Sequence, residues 1–416
     1  MTHLSPCSVV SRVRAFPAAA SLIAVLTAAF AGLGPAAGFA APAAPAAPAA
    51  SAPAKSAANL LSNPGFEEGG LFSPSDWDTT VAGVPTVLFF WDSETRHGGG
   101  RSASLINAGD VMPVWHNWNK MMFHAGRFAG KDLELTVWVR SDQMDGGRGY
   151  VMLQAYRDTV INQAHDEGIT RDQARTKMGY KYADDPQLEL GWARQYFSGN
   201  VGEWTPKKVR LYIPPTTNLV VVRLGIYGPG QVWFDDAQLV ALPAAPSALP
   251  TGKNLLANPG FEQPFDDWEF SMPPTAGAYI LPDSQFVHGG RFSARLTSAT
   301  RPGFQTYMNA CQVFNARGLS GKRVRMSGWV KLEDLFDSAY LSVYATGLYG
   351  VEGSLAGDAL TGTQDWTFYS VDFDVPKDTY TVWARAGYSA GPGKVWWDDL
   401  KFEVLGPTPK SATAKP

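Results

Sequence analysis

Two acidic pairs close two matched stretches of this 416-residue chain. The stretches are Val232-Trp233-Phe234-Asp235-Asp236 and Val395-Trp396-Trp397-Asp398-Asp399. Two carboxylates that flank one bond could serve as the acid and base of a glycosidase. Adjacent residues of a strand point to opposite faces, however, so neither pair can flank a single bond.

The apolar residues around each pair indicate which acid faces inward. Trp396 and Phe402 lie in phase with Asp398. Asp399 lies in the opposite phase, and Asp235 of the first stretch is placed as Asp398 is. A buried carboxylate without a partner is costly, so each inward aspartate needs one.

A second acid in the apolar opening segment of each half, Glu67 or Glu262, is the companion that the sequence offers. Two carboxylates with backbone carbonyls form a hard-oxygen site of the kind that binds calcium. We therefore expect a structural calcium in each half. The alternative is that these acids cap backbone amides or pair with Arg101 and Arg291, and the sequence leaves it open.

Other catalytic motifs are incomplete. Gly387-Tyr388-Ser389-Ala390-Gly391 matches the G-x-S-x-G pattern, but Pro392 and Gly393 lead from it into a strand pattern and not into the helix that a nucleophile elbow needs. The sequence contains no HExxH or CxxC spacing, so it shows no ligand set for a zinc hydrolase.

The acidic pairs belong to a module that occurs twice in the sequence. Asn59 to Glu67 and Asn254 to Glu262 are identical at eight of nine positions. In both copies the first Trp is followed by a His after 20 residues and by another Trp after 61 residues, at Trp77, His97 and Trp138 and at Trp268, His288 and Trp329. The repetition of the histidines at a glycine-rich turn indicates a structural role for them.

The elements that carry these residues have the pattern of strands. Leu133, Leu135, Val137 and Val139 alternate with polar or amphipathic residues, which is the period of two of a half-buried strand. Many such runs are separated by Gly, Pro and Asn. We therefore expect an all-β protein with two tandem β-sandwich (jelly-roll) domains.

The first copy carries an insertion. Trp138 and Trp204 are 66 residues apart, and Trp329 and Trp366 are 37 apart, a difference of 29. Thr170-Arg171-Asp172-Gln173 fits a capping box and predicts one short helix in this partly helical loop. Its many polar residues are compatible with a lyase-like site or with a solvated helical loop; they are His165, Asp166, Glu167, Arg171, Arg175, Lys177, Tyr180 and Tyr182.

The net charge and the N-terminal residues limit the cellular location of the protein and the classes of partner that it can bind. The net charge of −3 and the lack of a Lys/Arg run argue against nucleic acid. Arg12 and Arg14, the apolar stretch 18–30 and the small residues 38–40 have the layout of a signal peptide, so we expect a secreted protein, extracellular or periplasmic. No other apolar run is long enough for a membrane span, and Cys311 has no intramolecular disulfide partner in the mature chain.

The predicted organisation follows from these boundaries. It comprises a signal peptide (1–40), an Ala/Pro linker (41–58), the first sandwich (59–243) with its insertion near 157–186, a linker (244–253), the second sandwich (254–405) and a flexible tail (406–416).

The N-P-G-F-E opening, the glycine-rich turn, the middle Trp strand and the closing acidic pair resemble, in order and spacing, tandem carbohydrate-binding modules of families four, nine and twenty-two. These are galactose-binding-domain-like jelly rolls, and the resemblance implies a structural calcium. The positions that match the family's metal ligands are Gly65, Glu67, His97, Arg101 and Asp235 in the first copy and Gly260, Glu262, His288, Arg291 and Asp398 in the second.

The resemblance also implies a sugar site on the concave sheet face, where aromatic rings stack on sugars and amides bind hydroxyls. The candidate ligand-binding residues are Trp115, Asn117 and Trp118 in the first copy and Phe304, Gln305 and Tyr307 in the second. Because strand neighbours alternate, Trp115 and Asn117 share one face and Trp118 lies on the other.

These expectations define a secreted, non-catalytic protein that binds a polysaccharide or oligosaccharide and that could assist a separate glycan-degrading enzyme. One alternative is a surface or matrix adhesion protein whose sandwiches contact protein. Another is a polysaccharide lyase or hydrolase that uses the insertion of the first module.

Overall fold

Antiparallel strands make up most of the structure, a computed structural model that describes residues 58–81, 87–109, 115–144, 146–158, 160–180, 187–263, 266–271, 278–299, 307–347, 350–356, 360–389 and 391–409. The predicted signal peptide, nearly all of the Ala/Pro linker, and Phe304 and Gln305 lie outside these residues. The prediction of an all-β sandwich fold is confirmed.

The described residues of the first module, 59–243, form ten strands. They are β1 (Asp78–Val81), β2 (Val87–Asp92), β3 (Ser102–Asn107), β4 (Trp115–Phe123), β5 (Lys131–Asp142), β6 (Arg148–Arg157), β7 (Leu188–Ser198), β8 (Thr205–Tyr212), β9 (Leu219–Tyr227) and β10 (Gly230–Pro243). One five-stranded sheet has the order β1-β4-β9-β6-β7, and the other has the order β2-β3-β10-β5-β8.

The two sheets of the first module enclose one apolar core. In β5 the side chains of Leu133, Leu135, Val137 and Val139 are fully buried, as the alternation predicted. Burial of such side chains is the main force that holds two sheets together. The opposite face of the β1-β4-β9-β6-β7 sheet, which we call the outer face, carries polar and aromatic side chains.

The described residues of the second module repeat the arrangement with nine strands, the last of which extends to Pro407, two residues into the predicted tail. They are β11 (Glu269–Ser271), β12 (Ala278–Asp283), β13 (Ser293–Ser298), β14 (Tyr307–Asn315), β15 (Lys322–Gly347), β16 (Gly350–Ala356), β17 (Leu360–Asp374), β18 (Thr379–Ser389) and β19 (Gly393–Pro407). Its 26-residue strand β15 pairs with β17 and β19 through its first half and with β18 and β16 through its second.

Strand β15 thus takes the places that β5 and β6 occupy separately in the first module. Register shifts follow Val330, Leu332 and Leu335, and Asp334 has a positive φ of 49°. Such bulges bend a strand and increase its twist, which lets one strand contribute to both layers. The two modules therefore have equivalent strand orders, although the second is joined into one nine-stranded sheet.

In its described residues the insertion forms two helices, α1 (Ile161–Glu167) and α2 (Arg171–Lys177), where the sequence predicted one. Thr170 and Gln173 form the predicted capping box of α2. Helix α1 was missed because its N-cap, Val160, is not a capping residue; the carboxylate of Asp158, two residues earlier, accepts from the N–H groups of Val160 and Ile161. None of the helices in the described part of the chain has the length and apolar character that a membrane span requires.

Candidate functional site

The glycine-rich turn of the first module is built around the buried carboxylate of Asp235. Asp235 Oδ2 accepts hydrogen bonds from the backbone N–H groups of His97 at 2.7 Å and Gly98 at 3.1 Å. Its Oδ1 accepts one from the N–H of Asp236 at 2.7 Å. A bulge after Asp235, with Asp236 at φ 44°, turns the second acid outward.

Two further acids surround the same turn. Glu67 accepts hydrogen bonds from the N–H groups of Gly100 at 2.8 Å and Arg101 at 3.3 Å. Gly99 has φ 56°, and a side chain there would begin 2.1 Å from Glu67 Oε1, so this position requires glycine. A side chain at Gly65 would begin 3.5 Å from Asp236 Oδ1, which places the opening segment beside the turn.

His97 joins the turn to the middle Trp strand. Its Nδ1 lies 2.6 Å from Asp236 Oδ2, and its ring stacks on Trp138 with centroids 4.0 Å apart. Arg101 directs its guanidinium away from the acids, to the carbonyl oxygen of Trp91 at 3.0 Å. The geometry around His97 is that of a structural turn.

The second module repeats this arrangement. Asp398 accepts from the N–H groups of His288 at 2.8 Å, Gly289 at 3.1 Å and Asp399 at 2.7 Å. Glu262 accepts from Arg291 N at 2.8 Å, and the Arg291 side chain approaches it to 3.7 Å. Gly260 lies beside Asp398 and Asp399, as a side chain there would begin within 3.7 Å of both.

The carboxylate oxygens around each turn are suitable ligands for a hard cation, since each module brings three carboxylates to one glycine-rich turn. Burial raises the pKa of Asp235 and of Asp398 to about 6, despite the amide hydrogen bonds that lower it. A bound cation would favour the ionised form of these groups. The amide capping that the sequence left open is nevertheless present in both modules, and calcium stays a prediction.

Of the predicted sugar contacts, Asn117 and Trp118 lie on opposite faces of the β4 sheet. Trp118 is 1% exposed, and its Nε1 donates to the carbonyl oxygen of Ser104 in the core, so it cannot stack on a ligand and that prediction is wrong. Asn117 lies on the outer face but is itself buried. Trp115 and Tyr307 begin β4 and β14.

The outer face of the first module brings together groups that the sequence analysis did not name. In β6, Val151, Leu153 and Ala155 point into the core, so Tyr150, Met152, Gln154 and Tyr156 lie on the outer face. A cavity of about 260 Å³ opens there. It is lined by Tyr150, Met152, Gln154, Tyr156, Glu189, Arg194, Arg223 and Tyr227.

Hydrogen bonds fix the polar groups of this cavity in place. Gln154 Nε2 donates to Glu189 Oε2 at 2.8 Å, and Gln154 Oε1 accepts from Arg223 Nε. Arg223 Nη1 also donates to Asn117 Oδ1 at 3.2 Å, which ties the predicted residue Asn117 to the network. Partial burial in the groove raises the pKa of Glu189, even though part of this residue is exposed to solvent. Burial also raises the pKa of Tyr156 to about 12.

One end of the cavity meets the second module. Arg194 Nη1 donates to the hydroxyls of Tyr196 at 2.7 Å and Tyr227 at 2.8 Å, and it lies 3.2 Å from Glu269 Oε2. The hydroxyl of Tyr196 donates to the same oxygen of Glu269 at 2.6 Å. Arg148 Nη1 donates to the carbonyl oxygen of Trp268 at 3.0 Å, so two arginines hold the start of β11.

The sequence contains a weak signal for this cavity. Tyr150, Gln154 and Tyr156 occupy alternate positions of a run that is otherwise aliphatic. Together with Met152 they share one phase of the strand, which indicates a second, less apolar face. The contribution of β7 and β9 depends on strand pairing and is not readable from local sequence.

The fold and the outer-face cavity define a tandem β-sandwich protein with an aromatic and polar groove. No protein-family model matches the chain. A segment of 126 residues is 29% identical to a Bacillus subtilis (strain 168) protein described as the uncharacterized HTH-type transcriptional regulator YbfP. The match covers 30% of this chain and 42% of that protein, so the chain spans less than half of the relative's length.

Several solved structures resemble the chain at low similarity. The tandem CBM22-1-CBM22-2 domain of Paenibacillus barcinonensis Xyn10C is 13% identical, with a TM-score of 0.29, covering 86% of this chain and all of that one. The C-terminal family 22 carbohydrate-binding module of Clostridium thermocellum Xyn10B is 15% identical, with a TM-score of 0.31, covering 38% and 96%. A cyclase from Fischerella sp. TAU is 16% identical, with a TM-score of 0.30, covering 46% and 100%. At these TM-scores the likeness establishes no function for this chain.

Proposed function

We propose that this chain is a secreted, non-catalytic polysaccharide-binding protein. The outer-face cavity of the first module holds the glycan, and a calcium ion braces the glycine-rich turn of each module. The observation that carries the proposal is the joint presence of tyrosine rings and a fixed Gln154–Arg223–Glu189 network in one open groove.

The chemistry of the groove matches that of a sugar. Tyrosine combines an apolar ring face with a hydroxyl, which suits the alternating C–H and O–H groups of a pyranose. Gln154, Arg223 and Glu189 offer amide, guanidinium and carboxylate groups whose positions are set by one another. Polar groups that are already ordered lose little entropy when they bind hydroxyls.

A binding role fits this groove better than hydrolysis. Glycoside hydrolysis needs two carboxylates about 5 to 9.5 Å apart. Among the described residues that line the cavity, Glu189 is the one carboxylate. A single acid of raised pKa, engaged by Gln154, is suited to accepting hydrogen bonds from hydroxyls.

Glycan binding is tested with the mature protein on an array of soluble polysaccharides, followed by calorimetric titration of the best ligand. Tyr156→Ala and Arg223→Ala should each weaken binding by about tenfold, because stacking or a charged hydrogen bond contributes about 1 to 2 kcal/mol. Tyr279→Ala removes a tyrosine that is 52% exposed on β12 and should bind like the parent.

Two results would contradict the proposal. Failure to bind any glycan would remove its main claim. Release of reducing ends or unsaturated products from a bound glycan would show that the protein is an enzyme instead.

Calcium bracing has a separate test. Adding calcium to chelator-stripped protein should raise the melting temperature by about 5 °C or more, since a ligand at 100 times its Kd stabilises the folded state by about 2.7 kcal/mol. The double variant Glu67→Gln, Glu262→Gln should lose most of this shift. If calcium leaves the melting temperature unchanged, the calcium proposal is wrong and these acids serve to accept hydrogen bonds from backbone amides.

A further inference from the structure

A cluster of two histidines and an aspartate lies where the insertion meets the end of β4. His124 Nε2 is 2.8 Å from Asp166 Oδ1, and His165 Nδ1 is 3.2 Å from the same oxygen. One atom from each of these side chains lies within 4.8 Å of the others. In the described part of the chain, no other group of three His, Cys, Asp or Glu side chains is as close.

Both histidines make a further contact outside the cluster. Asn162 Oδ1 of α1 accepts a hydrogen bond from His124 N at 3.0 Å, and the His165 ring stacks on Phe123 with centroids 3.9 Å apart. His124 adopts a left-handed backbone with φ 52°. Non-glycine residues in this conformation are uncommon and concentrate at functional sites.

We propose that His124, His165 and Asp166 bind a divalent ion of the zinc class. Two imidazole nitrogens and one carboxylate oxygen are a common ligand set of zinc, whereas calcium prefers oxygen donors alone. The site is therefore distinct in chemistry from the carboxylate turns. It joins residues separated by 41 positions, 124 and 165, and so links the insertion to the sheet.

An ion bound by these three side chains would be accessible to water. The side chains of His124, His165 and Asp166 are 50%, 49% and 52% exposed, so water can reach an ion that they bind. His124 and His165 also line a cavity of about 500 Å³ together with Lys120 and Arg127. Three protein ligands with an accessible fourth position characterise zinc sites that exchange a ligand, in contrast to closed four-ligand sites.

Zinc binding is measured by calorimetric titration of the mature, tag-free protein with ZnCl₂ in buffer that contains excess calcium, which occupies any hard-oxygen site. One zinc per chain is expected. Because loss of even an outer-shell partner weakens metal sites by about 10- to 100-fold, each of His124→Ala, His165→Ala and Asp166→Asn should weaken binding at least tenfold. Cobalt(II) in place of zinc should give visible absorption in the parent and none in these variants.

A neighbouring acid provides the matched control. Glu167 follows Asp166 on α1, and Lys177 Nζ donates to both of its oxygens at 2.8 Å. Glu167→Gln should keep the zinc affinity of the parent. Binding of zinc with equal affinity by the parent and the three ligand variants, or by none of them, would overturn the proposal and leave the cluster as a His–Asp hydrogen-bond network.

Discussion

Asp398→Ala is expected to lower the free energy of unfolding of the calcium-free protein by about 3 kcal/mol, because three backbone amides of the turn lose their acceptor. These are the N–H groups of His288, Gly289 and Asp399, whose hydrogen bonds all end on the Asp398 carboxylate. The side chain is fully buried, so water does not replace it without a rearrangement of the turn.

Denaturant unfolding in a chelating buffer measures this effect without a contribution from calcium. Asp372→Ala is the matched control, because Asp372 pairs with Arg325 at 2.6 Å on the surface of the same module and such pairs contribute less than about 1 kcal/mol. A change in Asp398→Ala as small as that of the control would show that the turn holds without its central carboxylate.

Glu269→Ala is expected to cost about 3 kcal/mol, because it leaves the buried Arg194 charge without its partner across the module interface. The side chains of Arg194 and Glu269 are 9% and 16% exposed. Tyr196 also loses the oxygen to which its hydroxyl donates. The loss should weaken the coupling between the modules, so that unfolding separates into two transitions.

A double-mutant cycle with Arg194→Met isolates the contribution of the pair. The double variant should be more stable than Glu269→Ala alone, since it no longer buries an unpaired charge. Glu333→Ala removes an exposed glutamate that pairs with Lys394 and should change stability little. Equal losses from Glu269→Ala and Glu333→Ala would mean that the interface carries no electrostatic coupling.

The sequence allowed the fold class to be predicted because its signals are local. The alternation in β5 reports a sheet with one apolar face, and each repeated landmark takes the same position in both modules. Trp138 and Trp329, for example, each stack on the histidine of their own turn with centroids 4.0 Å apart. Landmarks that keep the same spacing in both copies lie at matching positions of matching strands and therefore make the same contacts.

The outer-face groove could not be predicted in the same way. Its side chains come from β6, β7 and β9, which meet only through pairing of distant strands. The alternation of side chains in β4 correctly placed Trp118 and Asn117 on opposite faces of the sheet, but it did not indicate which of the two faces packs against the core. The salt bridge from Arg194 to Glu269 joins the two modules, and no local pattern in either module specifies it.

Each module brings its first and last segments together. Asn59 Nδ2 donates to the carbonyl oxygen of Ala237, and its Oδ1 accepts from the N–H of Leu239. Asn254 does the same with Leu400 and Phe402. A domain whose entry and exit lie side by side can be duplicated, inserted into another chain or circularly permuted without displacing its strands. The asparagine at the start of each module thus joins its first and last segments, so that the module can be moved as a unit. A tandem pair of modules is the product expected from one duplication of such a unit.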